Sequence, residues 1–437
     1  MKNSSAFFAR CSEALEVARR MQNPLIVHHY DCDGLASGAI AASWFESHNE
    51  KYRMRTVKKL DEQTISSLKN EPNIIFVDLG SSTPSVDQLS SNVLIIDHHQ
   101  PQSKSHLQVN PHFFGFDGGS EASASACAYF VFRQEPELGI TGAVGDIQYP
   151  LQSLNRIMLS EAQQAEAAEA KIDLRLFGRN SRPLIQLLSY ADDPYLPGLT
   201  GNEDACAEFL LQLGIPLKEG EEWRCYSDLS KEEKQKLVSA LADLLSARLS
   251  SQAAEKLVGE VYLFPKKPQK TELADASEFS TLLNACGRNG QYELGIAVCL
   301  SKENAYEKAK ALLAQHRKNL REGLSFALKN TQDLGKFFFL DGRGVISDTI
   351  IGVIAGMLYP SGKSKLVIAI AQESPESIKI STRASRELVQ AGLNLGIVLS
   401  QACAAVGGSG GGHNIAAGAT IPATRLEDFL KEFASRL

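Results

Sequence analysis

The stretch "LIVHHYDCDGLASGAI", from Leu25 to Ile40, decides how the rest of the chain is read. Three apolar residues of strand type run into two histidines, and Asp31 and Asp33 then flank Cys32 just ahead of Gly34. A strand that ended in isolated acids would be a poor core element, because buried like charges repel each other and resist leaving water. The same acids around a shared cation make an active site. Gly34 lets the chain turn tightly into an apolar helical stretch. Strand, turn and helix with the chemistry at the turn is the βα unit of a parallel sheet, and in such sheets ligands bind at the carboxyl ends of the strands.

The pattern repeats outward from this stretch. "PLIVHH", "YRMRTV", "NIIFVDLG" and "NVLIIDHH" read as strands, separated by "GLASGAIAASWFES", "DEQTISSLKN" and "TPSVDQLSS" as helices or helical turns. The expected fold class is α/β: an N-terminal, mostly parallel, doubly wound domain, a helical middle region and a smaller C-terminal mixed α/β domain. Residues 151–257 read as mainly helical, with "SEAQQAEAAEAK" and "KEEKQKLVSALADLLSARLSSQAAEKL" clearest and "DDPYLPGLTG" (Asp192 to Gly201) as a turn-rich joint. From Val258 the strand "GEVYLFP", the helix "EFSTLLNAC" and the strand "LGIAVCL" precede a long helix over about Ser301 to Lys329. The strands "KFFFLDG", "KLVIAIAQ" and "SIKISTR" and a glycine-dense segment, "VGGSGGGHNIAAGATI", complete the chain. The expected division is 1–195 for the catalytic domain, 196–257 for a helical insert, and 258–437 for a substrate-binding domain that includes the long connecting helix.

Composition narrows the class. With 437 residues, 43% hydrophobic and 22% charged, the chain suits a soluble globular protein of two or three domains. No apolar run approaches the roughly 20 residues of a membrane span, and "MKNSSAFFARCSEALEVARR" reads as an amphipathic helix rather than a signal peptide. Eight scattered cysteines, none in a C-x-x-C pair, fit reduced thiols in a cytoplasm and give no zinc site. A net charge of −6 argues against a broadly basic nucleic-acid coat and leaves room for a local basic groove.

Four clusters carry the chemistry: His29, Asp31 and Asp33; Asp78; Asp97, His98 and His99; and Asp146 in "TGAVGDI". All four are expected at strand ends of one sheet. Alternate residues share a face of a strand, so His29, Asp31 and Asp33 can point together. An Asp such as Asp78 taken alone is an ordinary cap or turn residue. Four clusters in order are not ordinary, and their convergence requires a cation. Mixed oxygen and nitrogen donors suit Mn²⁺ or Mg²⁺, and two such ions about 3.5–4 Å apart, joined by a bridging carboxylate, suit phosphodiester hydrolysis. Cys32 should face the other way and is incidental to that set.

"HYDCDGLASG", "VDLG", "DHHQP" and "GAVGD" resemble the four successive motifs of the DHH phosphoesterase superfamily. "LLNACGR", "KISTR" and "GGSGGGHNIAAGA" resemble motifs of the DHH-associated C-terminal domain of RecJ-type nucleases, and "GRNSRPL" with "DPYLPG" resembles the archaeal RecJ-like branch that includes the GINS-associated nuclease. The resemblance implies two Mn²⁺ ions, with Mg²⁺ as the other candidate, held by Asp31, Asp33, Asp78, His98 and Asp146, with His29 beside them and Asp78 bridging. It further implies that Asp97 orients its neighbours, that His99 contacts the scissile phosphate, and that Asn284, Arg288, Ser381, Arg383, Gly410, Gly411, Gly412 and His413 hold the substrate.

Physical chemistry agrees on the last group. Arg288 and Arg383 offer planar forks for phosphate oxygens, and a glycine run lets backbone N–H groups approach an anion closely. The helix around "EKAKALLAQHRKNLREGL" is basic in its second half, which reads as a solvated face or the lining of a nucleic-acid channel. The activity implied is a single-strand-specific exonuclease, working 5′ to 3′ on DNA in replication or repair, with GINS and the replicative helicase as partners and no membrane. Within the family the alternatives are a 3′ to 5′ RNA or DNA exonuclease and a short-oligonucleotide phosphodiesterase. Outside catalysis the alternative is a replisome scaffold subunit, like the inactive eukaryotic relative.

Overall fold

The computed structural model describes residues 2–191, 194–249, 251–358 and 365–437, so Asp192 and Asp193 of the turn-rich joint and Ser250 of the long helical run lie outside the described residues. The chain forms two compact units, Met1–Ala309 and Lys310–Leu437.

The first unit begins with α1 (Ser4–Arg20), followed by β1 (Leu25–His29), α2 (Cys32–Ser47), β2 (Arg53–Val57), α3 (Glu62–Leu68), β3 (Asn73–Val77), β4 (Asn92–Ile96) and β5 (Leu107–Val109). The strands form one wholly parallel sheet in the order β2-β1-β3-β4-β5. β3 and β4 carry apolar residues on both faces, as a sheet covered on both sides requires. On one side Leu25, Val27, Ile74, Phe76 and Ile95 meet Ile65 and Leu68 of α3, each contributing roughly 1.5–3 kcal/mol by leaving water. On the other side lies α2, buried over most of its length and built from small residues. Gly34 and Gly38, one turn apart, let it approach β1: a Cβ at Gly34 would overlap the His29 backbone, and one at Gly38 would stand 3.0 Å from the His28 ring.

Beyond the sheet come α4 (Ala124–Phe132), α5 (Pro136–Gly145) and α6 (Ser153–Gln164), then β6 (Glu169–Leu174), which occupies part of the stretch expected to be helical. Its partner across an antiparallel ladder is β9 (Val258–Leu263). Between them lie α7 (Leu184–Ser189), α8 (Glu203–Gln212), the hairpin of β7 (Lys218–Glu219) and β8 (Glu222–Trp223), α9 (Lys231–Arg248) and α10 (Ser251–Glu255). These helices share a core of their own running from Leu174 to Leu257, so the middle region gathers side chains from upstream of residue 196.

α11 (Ala276–Arg288) and α12 (Tyr292–Cys299) then pack back onto α2. "LGIAVCL" is therefore helical and not a strand: an apolar run of this length has no period to betray it, and Gly295 seats the helix against Leu35. For the same reason the first unit extends past residue 258 and ends within α13 (Ala305–Asn330). The "GRNSRPL" segment pins the start of α11. Arg179 donates to the Asp275 carboxylate, the Asn180 amide donates to Glu278 at 2.9 Å, and Ser181 Oγ donates to the other Glu278 oxygen.

The second unit contains β10 (Gln332–Asp333), β11 (Phe337–Asp341), α14 (Ile351–Leu358), β12 (Leu366–Ser374), β13 (Ser377–Arg383), α15 (Arg386–Gln390), α16 (Leu395–Ala405), β14 (Ser409–Gly412), β15 (Ala416–Pro422) and α17 (Leu426–Ser435). Its mixed sheet runs β10-β11-β12-β13-β15-β14, so the glycine run is an edge strand. One face packs on α16 and α17 through Ile368, Ile380, Leu399, Phe429 and Phe433. The other packs on α14 through Val367, Ala369, Ile351 and Ile354. All eight cysteines are free and buried. No helix among the described residues is long and apolar enough to cross a membrane.

Candidate metal centre

The strand order of the first sheet reverses between β1 and β3, which places a crevice at their carboxyl ends. Register then delivers the chemistry. His28 pairs with Val77 and Val77 with Ile96, so the next residues, His29, Asp78 and Asp97, emerge side by side from three adjacent strands. Asp31 caps α2, its Oδ1 accepting from the Gly34 amide at 3.1 Å, while Oδ2 meets His29 Nδ1 at 2.9 Å. His29 Nδ1 also lies 3.4 Å from Asp78 Oδ2. Asp78 has φ +61°, a left-handed backbone that aims its carboxylate into the crevice and that aspartate tolerates better than most residues.

A second group forms around His98. Its Nε2 lies 3.3 Å from Asp78 Oδ1, 3.4 Å from Asp146 Oδ2 and 3.9 Å from Asp33 Oδ2. Asp33 is fully buried and takes the Ala124 and Ser125 amides at the start of α4. Asp146 comes from the C-terminal end of α5 and not from a strand: Gly142 and Gly145 let α5 lie close to Asp33 and Cys32, and so bring its end to the sheet. Cys32 itself turns away, towards the Thr141 carbonyl. Asp78 thus belongs to both groups, facing His29 and Asp31 with one oxygen and His98 with the other.

The donors fit a divalent cation. Asp78 Oδ1 and His98 Nε2 are buried and have only each other, at 3.3 Å and without hydrogen-bond geometry, an arrangement that a cation between the surrounding donors would improve. His98 Nδ1 sits 2.7 Å from the Gly118 carbonyl, which holds the proton on Nδ1 and leaves Nε2 free to ligate. Sequence reasoning missed Gly118 and Gln148, whose Nε2 donates to the same carbonyl at 2.9 Å. The backbone carbonyl leaves no signal in a sequence; Gln148, two residues past Asp146, could have been sought there. A Cβ at Gly118 would overlap the His98 carbonyl oxygen, so only glycine fits.

Charges bear the same mark. Burial, together with the nearby Asp78 charge, pushes the Asp33 carboxyl up to about 6, and burial with the Asp33 charge pushes Asp146 well above the usual carboxylate range. Burial pulls His29 and His98 down, but the surrounding carboxylates outweigh it and raise both well above the ordinary imidazole value. Burial opposes ionisation of Asp31, yet His29 holds it below the usual range. The cluster therefore retains protons where a cation would displace them.

Asp97 is spent on positioning. One oxygen accepts the His98 amide at 2.7 Å, the His99 amide at 3.1 Å and His99 Nδ1 at 2.7 Å; the other accepts the Ser81 amide at 2.9 Å. Burial pushes its carboxyl up, but His99 more than offsets this and holds it low. His99 is half-exposed, with Nδ1 tied to Asp97.

The residues expected to hold substrate fall in both units. Asn284 and Arg288 lie on α11 in the first, where Asn284 Oδ1 accepts the Cys32 amide at 3.1 Å and so braces the α2 turn. Ser381, Arg383, Gly410, Gly411, Gly412 and His413 gather at one end of the second unit's sheet. Ser381, Gly418 and Gly411 form one row across it, Arg383 pairs with Ala416, and the His413 amide donates to Ala416. The Arg383 guanidinium donates to the carbonyls of Thr382 and Gly352, which fixes its plane.

Comparison with known proteins agrees with this architecture. The profile of the DHH family N-terminal domain matches residues 23–147, that of the DHH-CID domain residues 176–258, and that of the DHHA1 domain residues 336–437. An uncharacterized protein of Methanocaldococcus jannaschii is 32% identical over 93% of this chain and 91% of its own length. Among solved structures, CDC45 from Entamoeba histolytica superposes with a TM-score of 0.66 at 14% identity, covering 99% of this chain and 98% of that one. An exonuclease RecJ bound to manganese gives 0.60 at 15%, covering 98% and 94%. RecJ from Thermus thermophilus in complex with Mn²⁺ gives 0.59 at 15%, covering 99% of this chain and 54% of that one. The chain belongs to the DHH phosphoesterase superfamily, as a RecJ-like member with DHH, DHH-CID and DHHA1 domains.

Proposed function

We propose that the protein is a divalent-metal-dependent phosphodiesterase that removes nucleotides from the ends of single-stranded nucleic acid. The observation that carries this reading is the sharing of Asp78 between two donor groups, one with His29 and Asp31 and the other with His98, Asp33 and Asp146. Two Mn²⁺ ions, or Mg²⁺ in their place, suit those groups, and the chemistry they supply when bound is activation of water and neutralisation of phosphoryl charge. The chain's own residues do the rest. Asp97 keeps the imidazole of His99 oriented and, with the Asp97 charge and hydrogen bond outweighing burial, protonated to a higher pH than usual. A protonated His99 placed there stabilises charge developing on the phosphate. Arg383, Ser381, His413 and the edge-strand amides of Gly410 to Gly412 hold the strand in the second unit, while Asn284 and Arg288 serve the first.

Within this reading the substrate is DNA, digested 5′ to 3′, and GINS and the replicative helicase are the partners in the cytoplasm; the support is the resemblance of "GRNSRPL" and "DPYLPG" to the GINS-associated branch. A non-catalytic scaffold role is the second reading, favoured by the full-length likeness to CDC45. End-labelled single strands and duplexes of DNA and RNA, incubated with Mn²⁺, Mg²⁺ or excess chelator, decide between them. Release of labelled mononucleotide from single strands in Mn²⁺ and none in chelator is expected. Absence of metal-dependent hydrolysis on every substrate would leave the scaffold.

A further inference from the structure

Ile147 follows Asp146 directly, and two arguments from stability go against an isoleucine there. It is 73% exposed, more than any other large apolar side chain among the described residues. Its φ is +61°, the left-handed region in which a β-branched Cβ crowds the neighbouring carbonyl. The position is the terminator of α5: the Ile147 amide donates to Val144 and the Gln148 amide to Ala143, so the backbone is committed to this turn. Glycine or asparagine is the ordinary occupant of such a turn. A single exposed apolar residue on a surface needs no explanation, but one held against its backbone preference does.

Its neighbours supply the explanation. Asp146 Oδ2 lies 3.4 Å from His98 Nε2, and Gln148 Nε2 shares the Gly118 carbonyl with His98 Nδ1. The residue between them therefore stands at the rim of the metal centre. A phosphate held at that centre carries a sugar and a base, whose faces are apolar and call for a contact without hydrogen-bonding demands. We infer that Ile147 is a substrate-contacting residue, packing against the sugar or base of the nucleotide whose phosphate the centre binds. This rests on the phosphodiesterase reading for its chemistry, and it predicts a contact tolerant of base identity.

The test uses the full chain with Ile147→Asn, which suits the left-handed turn and removes the apolar face, and Ile147→Leu, which keeps that face. Three measurements apply: thermal unfolding, steady-state hydrolysis of an end-labelled single strand in Mn²⁺, and anisotropy titration of a fluorescein-labelled single strand. Ile147→Asn is expected to unfold no earlier than wild type, to raise KM about tenfold with kcat changed less than threefold, and to weaken strand binding to match. Ile147→Leu is expected to restore KM to within threefold of wild type. The inference is overturned if Ile147→Asn leaves KM and strand binding within twofold of wild type. It is equally overturned if that variant unfolds several degrees earlier, which would make Ile147 a packing residue. If wild type binds the strand without cleaving it, the phosphodiesterase reading fails while the titration still decides Ile147. If wild type neither binds nor cleaves, both fail.

Discussion

Glu278, buried beneath the "GRNSRPL" segment, makes the stability of the first unit depend on pH in a direction unusual for a carboxyl group. Burial and then the adjacent charge of Asp275 push its carboxyl up from 4.5 to about 8, against the opposing hydrogen bonds from Ser181 and Asn180. The folded chain therefore keeps a proton that the unfolded chain releases. Where the folded state binds more protons, stability falls as pH rises, so the loss runs from about pH 4.5 to about pH 8 and levels off above. At 1.36 kcal/mol per pH unit the full separation amounts to about 5 kcal/mol, of which about 3 is already lost at pH 7. Glu278→Gln removes the titration and keeps the geometry, since the amide oxygen accepts from Asn180 and the amide nitrogen donates to Ser181 Oγ. Urea unfolding of both proteins in chelator, followed by far-UV circular dichroism at pH 5, 7 and 9, gives the comparison. The variant's lead should be smallest at pH 5 and grow by a few kcal/mol, on the order of 4, by pH 9. The metal-site groups titrate alike in both and cancel in the difference. A difference that stays flat from pH 5 to 9 would refute the argument.

Three further outcomes follow from the metal centre and the second unit. Asp78→Asn keeps a residue that tolerates φ +61° and removes the shared charge; it should cut kcat at least about a thousandfold, equivalent to about 4 kcal/mol of barrier. Steady-state rates check it, and a variant retaining a tenth of the rate would exclude a bridging role. Gly118→Ala should displace the carbonyl that fixes the His98 tautomer and lower Mn²⁺ affinity by about 10–100-fold, read by isothermal titration. Arg383→Ala should raise KM for long single strands and flatten the salt dependence of their binding, whereas Asp31→Ala should chiefly lower kcat; unchanged binding in Arg383→Ala would leave "KISTR" as a core strand alone.

The parallel sheet was legible because each apolar run ended in chemistry: "LIVHH", "NIIFVD" and "NVLIIDHH" declare both their length and the end at which they work. Asp146 was legible as a member of the acid and histidine cluster but not as a helix terminus, since "TGAVGDI" has small residues on every side of the helix and no polar face to set a period. Tyr292 to Cys299 misled for the opposite reason: a helix buried all round looks like a buried strand. Asn284 and Arg288 were read with the C-terminal motifs, yet α11 packs on α2, a tertiary choice that no local signal records. The most instructive absence is Gly118, whose contribution is a carbonyl that every residue type shares.

The eight buried cysteines have a practical consequence. Burial pushes the Cys11, Cys286 and Cys403 thiols up to about 12 and Cys206 and Cys225 up to about 11, and leaves Cys32, Cys127 and Cys299 higher still than an ordinary thiol. Since the thiolate is the reactive species, the native fold should be almost silent towards maleimides at neutral pH. A cysteine introduced on the surface of each compact unit would then be the only reactive thiol in its unit, without first stripping the natural ones from the core. A donor and acceptor dye placed on such a pair would report the distance between the two labelled positions on an otherwise unaltered protein.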